Sequence, residues 1–192
     1  METENAAYPI FYPGLKLKVF APAWYFKGHE ADDEYSQKIL SSKRNDEFNY
    51  FIPKIKELID FLIKKNELQD LCLIMIIPKS DLEYSITLNS LAQWIKTYLS
   101  IEYENIIERG AKGRRNLGGN ASEKRFNQTK GSMKLKRSLK PTEKNILILD
   151  DVKATGMTLL ESAKILKSAG AENISCICLG INRNLEKFPI KK

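Results

Sequence analysis

Three largely apolar runs, separated by stretches of helical periodicity, set the architecture of this chain. The runs are Leu71-Cys-Leu-Ile-Met-Ile-Ile77, ended by Pro78, then Asn145-Ile-Leu-Ile-Leu-Asp-Asp-Val152, and Ile174 to Leu179. Runs of this length without polar alternation read as strands buried on both faces. Between them, Ile55, Leu58, Ile59 and Leu62 follow Pro53 at helical spacing, and Pro suits a first helical position. Leu88, Leu91, Ala92, Ile95 and Leu99 mark a second amphipathic helix. Leu159 to Ser168 marks a third, stopped by Gly170. Tyr103 to Ile107 reads as a further strand, and Leu15-Lys-Leu-Lys-Val-Phe20 alternates as a strand does, within the aromatic and proline-rich stretch 8–27. Residues 28–50 are highly charged and read as surface. Buried strands alternating with amphipathic helices predict an α/β fold, a mainly parallel sheet flanked by helices.

A length of 192 residues, 43% hydrophobic and 29% charged, predicts one domain that buries its own core. The longest apolar run is far shorter than a membrane helix requires, so no membrane is expected. The first twenty residues lack a basic-then-apolar leader pattern, so no secretory signal is expected. Cys72, Cys176 and Cys178 lie inside apolar strands and His29 is the lone histidine. Zinc ligation needs clustered Cys and His. These thiols read instead as core residues of a reducing cytoplasm, and His29 as a surface residue.

Charge alters this picture in one place. From Arg109 to Lys140 there are eleven Lys and Arg against Glu123, a net +10, which leaves −3 for the rest of a chain whose total is +7. Five of the ten glycines fall in 110–131, where Leu117 and Phe126 are the large apolar residues. Such a segment cannot build a core and is long for a passive connection, so it is expected to be a flexible, functional loop.

The chemistry concentrates at Ile146-Leu-Ile-Leu-Asp150-Asp151-Val-Lys-Ala154-Thr155-Gly156-Met157-Thr158. Parallel sheets bind ligands at the carboxyl ends of their strands. Two acids there can accept hydrogen bonds from the neighbouring hydroxyls of a ribose. Gly156 lets the backbone come close, while the Thr155 and Thr158 hydroxyls and the free N–H groups of a helix start form an anion cradle. Acids for a diol, followed by a phosphate nest, describe a site for a sugar 5-phosphate. A two-component receiver also opens with an apolar strand ending in two acids. It needs a later aspartate, and the 41 residues after Asp151 contain none.

This stretch resembles the phosphoribosyl-pyrophosphate (PRPP) motif of the type I phosphoribosyltransferases, with Asp150 and Asp151 at the acid positions and Thr155, Gly156 and Thr158 in the phosphate loop. Ala154 stands where threonine is commoner. Members acting on 6-oxopurines place an acidic base there, which argues against that substrate. Upstream, Ile76-Ile-Pro78-Lys79-Ser80 is similar to the family's pyrophosphate loop, and 110–131 occupies the place of its mobile loop. Lys124-Arg125-Phe-Asn127 with Gly131 and Met133 is loosely similar to the competence-associated ComF-type subgroup, without the zinc finger such proteins often carry. The resemblance spans about 71–181. It implies one domain over 1–192, with about 1–70 forming a small hood and N-terminal helix, about 71–181 the core, and 110–131 the flexible loop.

The resemblance implies transfer of ribose 5-phosphate from PRPP to a nitrogen nucleophile such as a nucleobase, with pyrophosphate leaving and Mg²⁺ held through the substrate rather than by direct protein ligands. It implies that Asp150, Asp151, Ala154, Thr155, Gly156, Met157 and Thr158 bind ribose 5-phosphate. Lys79, Ser80 and Arg109 would meet the pyrophosphate, and Arg125 would join Asp150 and Asp151 as a catalytic group. A non-catalytic PRPP-binding regulator, or a ComF-like protein in DNA uptake or another nucleic-acid process, is the alternative. Nucleic acid along 109–140 stays open as a partner, although Phe126 alone could stack on a base, and so does a homodimer. Trp24, Tyr25 and Phe26 read as core or hood packing rather than a stacking surface.

Overall fold

The computed structural model describes residues 6–12, 15–26, 33–78, 85–110 and 132–182. Among the described residues, nine strands and four helices follow one another: β1 (Ala6–Tyr12), β2 (Leu15–Ala21), β3 (Trp24–Tyr25), α1 (Glu34–Ser41), α2 (Phe48–Lys64), β4 (Leu73–Ile76), α3 (Ile86–Leu99), β5 (Glu102–Tyr103), β6 (Ile107–Arg109), β7 (Met133–Leu135), β8 (Asn145–Lys153), α4 (Met157–Ser168) and β9 (Asn173–Asn182). The main sheet runs β1-β2-β9-β8-β4-β5, with β3 also against β9. Every pairing in it is parallel except the β1–β2 hairpin. The mainly parallel, helix-flanked sheet predicted from the apolar runs is what forms.

Alternation along β8 sorts the core into two layers. Ile146 and Ile148 pack with Leu73, Met75, Cys176 and Cys178 under α4, whose Leu159, Ala163 and Leu166 face them. Leu147 and Leu149 pack with Ile74, Ile76 and Ile177 under α2 and α3. All four residues of β8 named here are fully buried, which is why the strand carries no polar residue between Asn145 and Asp150. No helix among the described residues is long and apolar enough to cross a membrane.

The N-terminal residues expected to form the hood build onto this sheet. β2 pairs Val19 with Cys176 of β9, and α2 buries Phe51, Ile55, Leu58, Ile59 and Leu62 against the core. Three local expectations need correction. Pro53 does not open its helix but lies inside α2, which starts five residues earlier at Phe48. As the sixth helical residue, Pro53 has no N–H to donate to the carbonyl four residues back, so α2 forgoes one rung of its ladder there. The upstream turn is fixed by Phe51, fully buried and edge-on to Tyr35 at 5.6 Å, and by the Thr87 hydroxyl accepting from Glu47 N at 3.0 Å.

Within the charged stretch 28–50, residues 34–41 form α1 rather than mere surface. Asp33 caps it by accepting from Ser36 N at 2.8 Å, and Ser36 and Ile39 are buried. The strand expected over Tyr103 to Ile107 is broken in two. Asn105 Oδ1 accepts from Ile76 N at 2.9 Å and its amide donates to Tyr103 Oη at 3.0 Å, so the side chain replaces a ladder partner. The chain then leaves the main sheet, and β6 pairs with β7 in a separate antiparallel ribbon.

Candidate active site

β8 outruns its neighbour. The β4 pairing ends at Ile76 with Leu149, while the β9 pairing continues from Asp150 with Cys178 to Lys153 with Ile181. Asp150 and Asp151 therefore stand at the carboxyl edge on the stretch of β8 that β4 no longer covers. Each turns one carboxylate oxygen onto the backbone. Asp150 Oδ1 accepts from Asp151 N at 2.9 Å and Asp151 Oδ1 accepts from Val152 N at 2.6 Å. The two carboxyl groups also lie within hydrogen-bonding reach of each other, which adds to the rise that burial causes in the Asp150 pKa.

Burial, reinforced by the adjacent Asp151 charge, pushes the Asp150 carboxyl up to about 8, and the Arg109 cation opposes the rise. Arg109 ends β6, so the two-stranded ribbon brings it against the main sheet. Burial draws its guanidinium below the usual range, with Asp150 pulling the other way. Arg109 Nε is the buried side-chain polar atom that lacks a partner among the described residues. An unpaired buried donor costs about 1–3 kcal/mol. A cation and a carboxyl are thus held at one edge with hydrogen-bonding capacity left unused.

Past β8 the chain turns through the loop 154–158 into α4. Gly156 is the N-cap residue with φ 75°, in the left-handed region that glycine enters without strain, and no side chain caps the helix. Thr155 Oγ1 accepts from Met157 N at 3.5 Å, a long contact, and Leu160 N donates to Gly156 O at 2.9 Å. The first amides of the helix therefore face outward with the positive end of its dipole. Ala154, Thr155, Met157 and Thr158 are half-buried around this turn.

The structure thus gathers Asp150, Asp151, Arg109 and the 154–158 loop at one edge. Lys79, Ser80 and Arg125 lie outside the described residues, as does 111–131, so the expected pyrophosphate loop and flexible loop are not part of this geometry. Lys153, which the sequence reading passed over, is 4% exposed at the end of β8; only its place inside the motif marked it. The basic stretch is also less bare than its composition implies. Arg137 binds Glu104 and Glu143 through paired contacts of 2.6–2.9 Å, Lys134 meets Glu108 at 3.0 Å and Lys140 meets Glu143 at 3.7 Å. These acids lie outside the segment or across the ribbon, where a count along the chain does not find them.

A cavity of about 440 Å³ opens at the opposite, amino edge, where Lys18, Glu67, Lys167, Glu172 and Asn173 line it. Residues 105–192 match the family model described as the phosphoribosyl transferase domain, a span that includes Arg109, the acid pair and the loop 154–158. No curated protein matches the chain.

Proposed function

From the match of residues 105–192 to the phosphoribosyl transferase domain, we propose an enzyme that binds PRPP with Mg²⁺ and transfers its ribose 5-phosphate to a nitrogen nucleophile such as a nucleobase, releasing pyrophosphate. The observation that carries this reading is the continuity of β8, the Gly156 turn and α4. Two carboxyl groups at the end of β8 are followed, four residues after Asp151, by a glycine turn into a helix whose first amides no side chain caps.

In this reading Asp150 and Asp151 accept hydrogen bonds from the ribose hydroxyls, and their backbone contacts hold them in place without substrate. The 5-phosphate rests on the loop 154–158, where the Thr155 and Thr158 hydroxyls add donors to the helix start. Arg109, with Nε unsatisfied, gains a partner when the anionic substrate arrives, together with Lys79 and Ser80 upstream. Breaking the bond from C1 to pyrophosphate builds positive character on the sugar and concentrated charge on the leaving group. Fixed cations aimed at that group are the strongest stabilising contribution open to the protein. Arg125 is assigned the same role from the segment that follows Arg109.

No group of three or more His, Cys, Asp or Glu side chains converges among the described residues. Hard oxygens of the acid pair beside a polyphosphate suit an ion carried in largely by its substrate, as Mg²⁺ commonly is. Mg²⁺ there would neutralise the leaving pyrophosphate.

The test is a screen of nucleobases with PRPP and Mg²⁺, reading pyrophosphate release. Turnover with one base is expected. Tight PRPP binding with no release for any acceptor would turn the reading to a non-catalytic PRPP-binding regulator.

A further inference from the structure

Tyr25 stands beside the acid pair although it is far away in the sequence. It belongs to β3, which pairs Trp24 with Ile181 and Tyr25 with Asn182 at the end of β9. The segment is pinned there: Ile181 N donates to Ala23 O at 3.3 Å, Phe26 N donates to Ser36 Oγ at 3.0 Å, and the Tyr35 hydroxyl donates to Leu179 O at 2.6 Å. The side chain lies over Gly180, where a Cβ would come within 2.8 Å of Tyr25 Cβ and 2.9 Å of Ile39 Cδ1. Gly180 in turn pairs with Val152, the residue after Asp151.

Tyr25 is only 5% exposed, yet its hydroxyl makes no hydrogen bond among the described residues. The Tyr25 hydroxyl is not among the buried side-chain atoms that lack a partner, and it lies close enough to Asp151 to feel its charge. Burial and then the Asp151 charge raise the phenol above its ordinary pKa, so it stays protonated and able to donate. Buried tyrosines ordinarily find a partner for the hydroxyl. This one has a packed ring, an open hydroxyl and a carboxylate alongside.

We propose that Tyr25 is a substrate-contacting residue whose hydroxyl hydrogen-bonds the ribose hydroxyl that Asp151 holds. The inference rests on the PRPP reading above and adds to it a group supplied by the N-terminal part of the chain, outside the matched family span. A tyrosine in this place makes the site a reader of the sugar's hydroxyls as well as of its phosphate. The other role for Tyr25 is packing alone, and the two differ in what removal of one oxygen does.

Tyr25→Phe keeps the ring over Gly180 and deletes the hydroxyl. Calorimetry with two probes, ribose 5-phosphate and inorganic phosphate, separates the roles. The variant is expected to bind ribose 5-phosphate about threefold to tenfold more weakly, the loss of one neutral hydrogen bond. Its phosphate affinity and melting temperature should match the parent's. In an Asp151→Asn background the same change should cost less, because the shared hydroxyl is no longer held. Equal ribose 5-phosphate affinity in parent and variant overturns the proposal, as does an equal loss for both probes. A parent that binds neither PRPP nor ribose 5-phosphate removes the PRPP reading and this inference together, whereas a binding parent with an indifferent Tyr25→Phe removes this inference alone.

Discussion

The two edges of the main sheet treat their polar groups in opposite ways. At the amino edge they are paired. Lys18 donates to both Glu67 oxygens at 2.6 and 2.5 Å, Lys144 meets Glu172 at 3.3 Å, and Asn145 joins Asn173 at 2.8 Å and Asp70 O at 3.0 Å. At the carboxyl edge Asp150 is held up to about 8 by burial beside a like charge, and Arg109 Nε has no partner. The cavity of about 440 Å³ belongs to the amino edge, so volume and chemistry point to different places. Chemistry is the better guide here. Paired charges around a cavity have little left to offer a ligand, whereas unpaired buried groups carry a standing cost that a ligand relieves.

That contrast can be broken most forcefully at the acid pair. Replacing Asp150 and Asp151 together by asparagine should weaken PRPP binding by at least about 1.5–3 kcal/mol, the range for hydrogen bonds to charged groups, or more than tenfold by calorimetry. Gly180→Ala tests the fold of the same edge rather than its chemistry. The added Cβ meets Tyr25 and Ile39 at under 3.0 Å, so thermal unfolding should show a loss of about 1–3 kcal/mol, as for an overpacked core.

A gentler probe is pH. Asp150 keeps its proton in the folded state up to about pH 8, while an unfolded aspartate loses it near pH 4. The folded state then binds more protons across this window, so Asp150's contribution to stability falls as pH rises from about 4 to about 8. Melting temperatures of Asp150→Asn measured across that window should decline less toward alkaline pH than the parent's. The smallest effect belongs to the amino edge. Lys18→Met removes a partly exposed ion pair and should cost about 0–1 kcal/mol of stability, with PRPP affinity unchanged. A large loss of PRPP affinity there would erase the distinction between the edges.

What could be read in the sequence was what is local. Ile146–Thr158 announces itself because a buried strand, two acids and a glycine turn follow one another, and the structure places them in that order at one edge. Arg109 was legible as a cation but not as the neighbour of Asp150, because the β6–β7 ribbon makes that approach through space. Tyr25 looked like packing, and its ring does pack; no pattern within residues 8–27 tells that β3 lies beside the last residues of β9. The helix α1 was hidden by its charges, since Ile39 and the hydroxyl of Ser36 do most of its anchoring. Pro53 misled because a preference for the first helical turn is weaker than the burial of Phe51.

The placement of β9 also governs when the sheet can close. Its neighbours come from opposite ends of the sequence, with Val19 of β2 on one side and Ile148 of β8 on the other, both against Cys176. On a ribosome, the β1–β2 hairpin and β3 emerge early and wait for a partner strand that emerges only after more than 150 further residues. Closure by contacts so distant in sequence is slow, and apolar strands that wait unpaired are open to association with other chains. The N-terminal segment therefore depends for its place on a strand made more than 150 residues later, and slow closure of β2 onto β9 is a step at which nascent chains of this protein are exposed to misassembly.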